Sequence, residues 1–321
     1  MKRFIPLLFP LIVLGFGCAS ADSPSASSTS EVEADASTTT EAVNEETAIE
    51  NEVEQPELNP DLPPIIDTHA HIYPVSKEAN EAYVDDLVAA AMENGVSKIL
   101  LGLNARQVPD RPPTFSSEHD EMVLDAYERY PDVIVPTLNG FDPEDEAAPE
   151  YVREQLKTGK WKMVGELDVR NPIKQNSIAA DSDVLMDIYD IAGEYHVPVM
   201  LHFTFAFGTD AESGKAELER ALSGNPDTIF IYAHSCASEI ALLMRSHDNL
   251  YCEQESGSPA PGIDFSRVIL GTDIQVTERA PEKVADHYAD VIDALRDTIS
   301  TWSDADQLAA RIETPTALFG L

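Results

Sequence analysis

The feature that most limits the possible folds is an eightfold recurrence of short apolar runs rich in β-branched residues. Their starts lie 33, 35, 29, 35, 31, 21 and 18 residues apart, and helical patterns separate most of them. Near-continuous apolar strands that alternate with amphipathic helices predict a parallel sheet covered by helices. The eight runs are Ile65–Ile72, Lys98–Leu103, Val133–Asn139, Lys162–Asp168, Val197–Phe203, Thr228–His234, Asn249–Glu255 and Arg267–Asp273.

Eight such units within residues 63–321 match the α/β class and, within it, a (β/α)8 TIM barrel, which typically takes about 250 residues. A doubly wound open sheet is the alternative architecture. One unit departs from the pattern: Ser256–Ser266 has two Pro and two Gly and is too short for a full helix. The seventh helix is therefore expected to be irregular or missing.

The first eighteen residues predict export. Lys2 and Arg3 precede an uncharged apolar stretch, Phe4–Phe16, which is shorter than the about 20 residues that a membrane-spanning helix needs. The stretch ends at Gly17 and Cys18, and this junction resembles a bacterial lipoprotein signal, in which Cys18 would carry the lipid. The resemblance implies anchoring to the cell envelope, at the outer membrane in a Gram-negative cell. Ordinary cleavage near Ala19 or Ala21 would instead release the protein, secreted or periplasmic.

Residues 19–62 are expected to form a disordered acidic linker. Between 19 and 60 there are eleven acidic residues, no Lys or Arg and no aromatic residue, so this segment cannot bury enough apolar surface to fold. The whole chain has a formal net charge of −37, and residues 61–321 keep 47 acids against 19 bases, a net −28. Such a surface argues against a nucleic-acid partner, because phosphate binding needs basic residues.

Polar residues stand where the predicted strands end, which is where this fold carries its function. His69 and His71 are two apart on one strand, so both imidazoles point the same way, with Cα atoms about 6.5 Å apart. An isolated pair of this kind is weak evidence for a metal site. Six unrelated buried polar residues would each need their own hydrogen-bond partners, which makes a shared cation the better explanation. The full set is His69, His71, Glu166, His202, His234 and Asp273.

The motifs around these residues resemble the metal-dependent amidohydrolase superfamily. The nearest likeness is to its amidohydrolase-related branch, with the TatD-type hydrolases next, and it covers residues 63–321. The shortened connection after the seventh run departs from the family, and Glu166 stands where many binuclear members have a modified lysine. The motifs are Ile66-Asp67-Thr68-His69-Ala70-His71, Gly165-Glu166, Met200-Leu201-His202, Tyr232-Ala233-His234, Leu270-Gly271-Thr272-Asp273 and the ending Ala317-Leu318-Phe319-Gly320-Leu321.

The resemblance implies one or two divalent ions. In the two-ion version His69, His71 and Asp273 hold the first ion, and Glu166 bridges to a second that His202 and His234 complete. In the one-ion version His69, His71, His202 and Asp273 are the ligands, and His234 polarises the substrate carbonyl. Imidazole and carboxylate ligands favour Zn²⁺, with Mn²⁺, Fe²⁺ or Ni²⁺ as alternatives. Asp273 would move the proton of the attacking water.

Further residues near the predicted site have open roles. Asp67 is expected to lie behind the ligands and orient an imidazole. Arg170, Arg106 and Tyr73 are candidates for substrate binding, with Lys174 and Arg111 as further basic candidates, although surface charge is the alternative for the basic residues. Glu253 and Glu255 line the pocket or end in solvent, and Cys236 and Cys252 form either a disulfide or two buried thiols.

The resulting hypothesis is an exported metal-dependent hydrolase that cleaves an amide, lactone or ester bond of a small molecule by metal-activated water. Three alternatives remain. A decarboxylase could use the same ligands, a TatD-type nuclease is disfavoured by the charge, and a non-catalytic binding lipoprotein is disfavoured by the complete ligand set.

Overall fold

The computed structural model describes residues 55–72, 76–104, 117–275 and 284–321. Within them, eight parallel strands form a nearly closed barrel with helices between them, which confirms the (β/α)8 prediction. The strands are β1 Ile65–Ile72, β2 Val96–Leu103, β3 Ile134–Leu138, β4 Met163–Asn171, β5 Asn176–Ser177, β6 Val199–Phe203, β7 Phe230–Tyr232, β8 Leu250–Gln254, β9 Val268–Leu270 and β10 Ile274–Gln275. Two of them, β5 and β10, are two-residue additions to the barrel.

The barrel closes through an interrupted last strand. The sheet runs β1-β2-β3-β4-β6-β7-β8-β9, and β10 follows β9 after three residues and pairs in parallel with β1, with Ala70 opposite Ile274. Across the break, the Thr68 hydroxyl donates to the Leu270 carbonyl at 2.9 Å and the Thr272 hydroxyl to the His69 carbonyl at 3.1 Å. The break therefore places one short loop, residues 271–273, at the mouth of the barrel, with Gly271 and Thr272 buried and Asp273 partly exposed.

Helices cover the outside of the barrel. An example of how the sequence starts one is Ser182, whose hydroxyl accepts from the Leu185 amide and caps α4. Between β8 and β9 the chain makes a single 3-10 turn, Phe265–Arg267, so the expected irregularity of the seventh helix is confirmed. The α-helices are α1 Lys77–Glu93, α2 Ser117–Arg129, α3 Ala148–Leu156, α4 Asp183–Glu194, α5 Ala211–Gly224, α6 Ser238–Met244, α7 Val284–Ile299, α8 Asp304–Leu308 and α9 Thr314–Phe319, with a π-helical turn Ala309–Glu313.

Two apolar clusters hold the barrel together. The larger packs the strands against the surrounding helices. The smaller takes inward positions along the strands, the arrangement of a layer inside a barrel, and includes Phe319 of α9. The barrel interior is thus a packed core, which leaves the carboxyl ends of the strands as the place for polar chemistry. The inward cluster contains Ile66, Leu100, Val135, Met163, Met200, Ile231, Ala233, Ile269 and Phe319.

Two residues near the end of the predicted linker contact helices of the barrel. The Asn59 amide donates to the Met92 carbonyl at the end of α1, and the Gln55 side chain donates to the Arg129 carbonyl. Gln55 and Asn59 are therefore held against the ends of α2 and α1. The export signal with Cys18, and the linker up to residue 54, lie outside the described residues. In the described ranges no helix combines the length and apolarity that a membrane crossing requires.

Candidate metal centre

Six polar side chains meet at the mouth of the barrel, as the sequence predicted they would. Four of these side chains belong to strands β1, β4 and β6. The other two belong to residues that lie just past the ends of β7 and β9. Each of the six offers a ring nitrogen or a carboxylate oxygen to a common space, in groups that could hold an ion. The residues are His69, His71, Glu166, His202, His234 and Asp273, and two further groups of the same kind add Glu253, with His69 and His234, and Glu255, with His234 and Asp273.

The first group surrounds one oxygen of Glu166. Its Oε2 lies 3.5 Å from His69 Nε2 and 3.6 Å from His71 Nε2. These two ring nitrogens are 2.9 Å apart. Asp273 Oδ1 completes the group, 3.2 Å from His71 Nε2 and 3.8 Å from His69 Nε2. Four donor atoms from three separate parts of the chain therefore enclose one small space.

The second group surrounds the other oxygen of the same carboxylate. Glu166 Oε1 lies 2.9 Å from His202 Nδ1 and 2.8 Å from His234 Nε2. The two ring nitrogens are 2.8 Å from each other. The Glu166 carboxylate therefore lies between two neighbouring groups, and each of its two oxygens faces one of them.

Two of the six residues adopt a backbone conformation that L-residues rarely use. His234 has φ 72° and Asp273 has φ 46°, both in the left-handed region. Such residues persist where surrounding contacts hold them, and they concentrate at functional sites. The His234 amide donates to Glu253 Oε2 at 2.9 Å, and the Ile274 amide donates to the Thr272 hydroxyl beside Asp273. Both turns direct a side chain back over the mouth of the barrel.

The electrostatics of the group fit a cation. Burial disfavours a charged imidazole at His69, but the charges of Glu253 and Glu166 outweigh it and raise the pKa of His69 well above its usual value. Burial likewise opposes protonation of His234, yet Glu166 raises its pKa to about 10. For Glu166 burial favours the neutral acid, and the charges of His69 and His234 nevertheless hold its pKa well below the usual value.

Imidazoles supply the ion pairs just described, and the buried Lys174 adds a positive charge that interacts with Glu166 and Asp273. Rings of His69 and His234 lie 5.3 Å apart, so protonating both would set two cations side by side in a buried site. A divalent ion supplies the same charge without that repulsion, and mixed nitrogen and oxygen donors suit Zn²⁺ or Mn²⁺. The donor set therefore fits a metal centre.

No protein-family model and no curated protein matches this chain, but solved structures do. A dihydroxybenzoic acid decarboxylase from Polaromonas sp. JS666, with bound manganese and the inhibitor 2-nitroresorcinol, superposes with a TM-score of 0.54 at 15% identity, over 81% of this chain and 98% of that one. A putative amidohydrolase from Staphylococcus aureus gives 0.53 at 14%, over 81% and 100%. A 4-oxalomesaconate hydratase from Rhodopseudomonas palustris gives 0.53 at 10%, over 80% and 95%.

The chain has the (β/α)8 barrel fold of these solved structures. At these identities the likeness concerns the fold, and it agrees with the superfamily resemblance seen in the sequence. The ligand groups described above occupy the mouth of that barrel.

Asp67 supports the site in a different way from the one expected. Its Oδ1 accepts from the amides of His69 and Thr272, and its Oδ2 from the hydroxyls of Thr272 and Tyr288. No imidazole is among these contacts. Burial raises the pKa of Asp67 to about 6, against the lowering effect of these hydrogen bonds. Asp67 therefore fastens the main chain of β1 to the 271–273 loop that carries Asp273.

The basic residues predicted at the substrate side have structural partners. Arg170 is buried and pairs with Glu217 of α5, and its guanidinium also donates to the Phe205 and Phe207 carbonyls. Neither substrate binding nor surface charge describes it, because it ties β4 to the loop before α5. Lys174 pairs with Asp168 at 2.8 Å, while Tyr73, Arg106 and Arg111 lie outside the described residues.

Glu253 contacts the site from behind, and the sequence did not decide its role. Glu253 is fully buried, and its Oε1 and Oε2 lie 3.1 and 3.0 Å from His69 Nδ1. An acid within a predicted strand was the signal, but its partner is 184 residues away in sequence. Cys252 beside it forms a disulfide with Cys236, so the alternative of two free thiols is wrong.

Proposed function

We propose that this protein is a metal-dependent hydrolase with two divalent ions joined by Glu166. The observation that carries the proposal is the division of that carboxylate: Oε2 faces His69 and His71, and Oε1 faces His202 and His234. A carboxylate shared in this way is a natural bridge between two ions, which lie about 3.5–4 Å apart in hydrolytic centres.

The position of His202 favours two ions over one. In the one-ion version His202 would stand with His69, His71 and Asp273. Its Nδ1 instead lies 2.9 Å from Glu166 Oε1 and 2.8 Å from His234 Nε2, in the second group. The two-ion version of the ligand set is therefore the one proposed, with Zn²⁺ or Mn²⁺ as the metal.

When bound, such ions supply Lewis acidity and lower the pKa of a water from 15.7 to about 7. Asp273 is placed to handle the proton. Burial would favour its neutral form, but the hydrogen bond with His71 and the charge of His69 hold the pKa of Asp273 below its usual value, so the carboxylate is ionised, as a metal ligand must be. Its side chain is 22% exposed, which makes it reachable from the mouth for delivery of that proton to the leaving group.

The substrate proposed is a small molecule with an amide, lactone or ester bond. The net charge of −28 over residues 61–321 argues against nucleic acid, so a nuclease is disfavoured. A decarboxylase remains the second candidate, because a decarboxylase is among the structural neighbours. Release of CO₂ from a panel of aromatic acids, compared with acid release from a panel of esters, lactones and amides, separates the two reactions.

Metal analysis tests the proposal directly. Protein purified without chelator is expected to hold about two equivalents of transition metal per chain, measured by elemental analysis. His69→Ala or Asp273→Ala removes a ligand of the first ion. The metal content should fall to about one equivalent or less, because the affinity of a site depends on its ligands. Exposed Glu146→Gln serves as the control and should keep both ions. Metal that stays stoichiometric in both ligand variants contradicts the assignment.

We also propose that the protein is exported and attached by lipid at Cys18. The support is the N-terminal pattern and, independently, the Cys236–Cys252 disulfide, since disulfides persist mainly in oxidising compartments. Expression of the full chain in a bacterial host should place it in the membrane fraction with incorporated labelled fatty acid, and Cys18→Ala should abolish the label. Label retained in that variant, or a wild-type protein that stays in the cytoplasm, would refute this.

A further inference from the structure

Strand β8 brings two carboxylates to the back of the site that the ligand set does not use. Glu253 lies in β8 and Glu255 follows one residue after its end. Residues two apart on an extended strand point to the same side, so both side chains face the barrel mouth. Each contacts the ring nitrogen of a different ligand histidine, on the side of the ring turned away from Glu166.

Glu253 contacts a histidine of the first group. Its two oxygens lie 3.0 and 3.1 Å from His69 Nδ1, while His69 Nε2 faces Glu166 and His71. A carboxylate at Nδ1 accepts the ring proton there, which leaves the Nε2 lone pair free for a cation. Glu253 is fully buried, so this contact is shielded from competing water.

Glu255 contacts a histidine of the second group. Its Oε2 lies 3.3 Å from His234 Nδ1, while His234 Nε2 faces Glu166 Oε1 and His202. Glu255 therefore stands behind His234 in the same way as Glu253 stands behind His69. The difference is exposure: the Glu255 side chain is 35% exposed and the Glu253 side chain is not exposed at all.

Glycine makes room for the buried member of the pair. A Cβ built on Gly271 would lie 1.6 Å from Glu253 Oε1 and 2.7 Å from His69 Cβ. The loop that carries Asp273 therefore passes so close to the Glu253–His69 contact that only a residue without a side chain fits. The main chain and the carboxylate are adapted to each other, as expected for a built contact rather than an incidental one.

We infer that Glu253 and Glu255 are positioning residues, each of which orients one histidine for one ion, so that a single strand tunes the affinities of two metal sites separately. This inference rests on the proposed two-ion centre. Carboxylates that hold the far nitrogen of a ligand histidine typically contribute 10–100-fold to metal affinity. Glu253 acts on the ring of His69, a ligand of the first ion, and Glu255 acts on the ring of His234, a ligand of the second ion. Glu253 also accepts from the His234 amide, a hydrogen bond that the carbonyl oxygen of glutamine can keep.

The test measures metal affinity in variants of the full chain that keep one site at a time. His202→Ala removes a ligand of the second group, and His71→Ala removes one of the first. Into each background Glu253→Gln and Glu255→Gln are introduced separately, with Glu146→Gln as the control. Metal-free protein is titrated with Co²⁺, and the affinity and the visible absorption of the bound ion are recorded. Thermal unfolding of the metal-free variants shows whether each remains folded.

With His202→Ala, Glu253→Gln should weaken Co²⁺ binding 10–100-fold and shift the absorption, while Glu255→Gln changes the affinity less than about threefold. With His71→Ala the larger effect should move to Glu255→Gln. Equal effects of either variant in both backgrounds, or no effect in folded protein, would overturn the inference and leave the two-ion proposal standing. Absence of Co²⁺ binding by the wild-type chain would instead refute the proposed function itself.

Discussion

Glu166→Gln is expected to leave the protein with about one metal equivalent instead of two and to remove nearly all hydrolytic activity. Glutamine offers one carbonyl oxygen where glutamate offers two, so it can serve one of the ligand groups but cannot join them. The amide nitrogen then faces the other ligand group, and it has no lone pair with which to bind a cation. The loss of turnover should reach at least about 10³-fold, on the order of 4 kcal/mol of transition-state stabilisation.

The measurement is metal content by elemental analysis beside turnover of the ester, lactone or amide that the substrate panel identifies. Glu166→Asp is the informative companion, because it keeps both oxygens and shortens their reach, so some binding of the second ion should survive. Glu146→Gln controls for the loss of one exposed acid. Two full equivalents in folded Glu166→Gln protein would show that Glu166 does not bridge.

The meeting of these six side chains could be predicted because the fold decides where the strand ends lie and the place of each residue along its strand is visible in the sequence. His69, His71, Glu166 and His202 lie inside strands whose apolar runs are visible in the sequence. Parallel strands of a closed barrel bring their carboxyl ends together, so polar residues at those ends must meet. Positions on a strand therefore predict proximity, even between residues more than a hundred places apart.

What the sequence could not supply is the geometry between elements. The left-handed turns at His234 and Asp273 lie past the ends of β7 and β9, and no local pattern announces positive φ at a histidine or an aspartate. Arg170 looked like a residue of the active face, but its partner Glu217 comes from α5 and draws it away. The role of Glu253 depends on its neighbour Gly271, which leaves room for the carboxylate because it has no side chain. The sequence does not show that these two residues lie side by side.

Because Gly271 lies so close to Glu253, Gly271→Ala has the second large expected effect. The substitution should lower the free energy of unfolding and also weaken metal binding at the first site. The added methyl would lie 1.6 Å from Glu253 Oε1 and 2.7 Å from its Cδ. Glu253 cannot step aside, because its oxygens also accept from His69 Nδ1 and the His234 amide. Overpacking of this kind costs up to about 3 kcal/mol, which lowers the melting temperature by roughly 6–12 °C for a domain of this size.

Thermal unfolding and Co²⁺ titration measure the two effects, and Gly224→Ala is the matched control. A Cβ at Gly224 meets only the flexible end of Met186, so that variant should unfold close to the wild-type temperature. The decisive comparison is Gly271→Ala combined with Glu253→Ala. Removing the carboxylate creates the space that the new methyl needs, so the double variant should be more stable than the sum of the two single losses predicts, by at least about 1 kcal/mol. Strict additivity would mean that the alanine is accommodated by a shift of the 271–273 loop, and that Glu253 and Gly271 are not coupled.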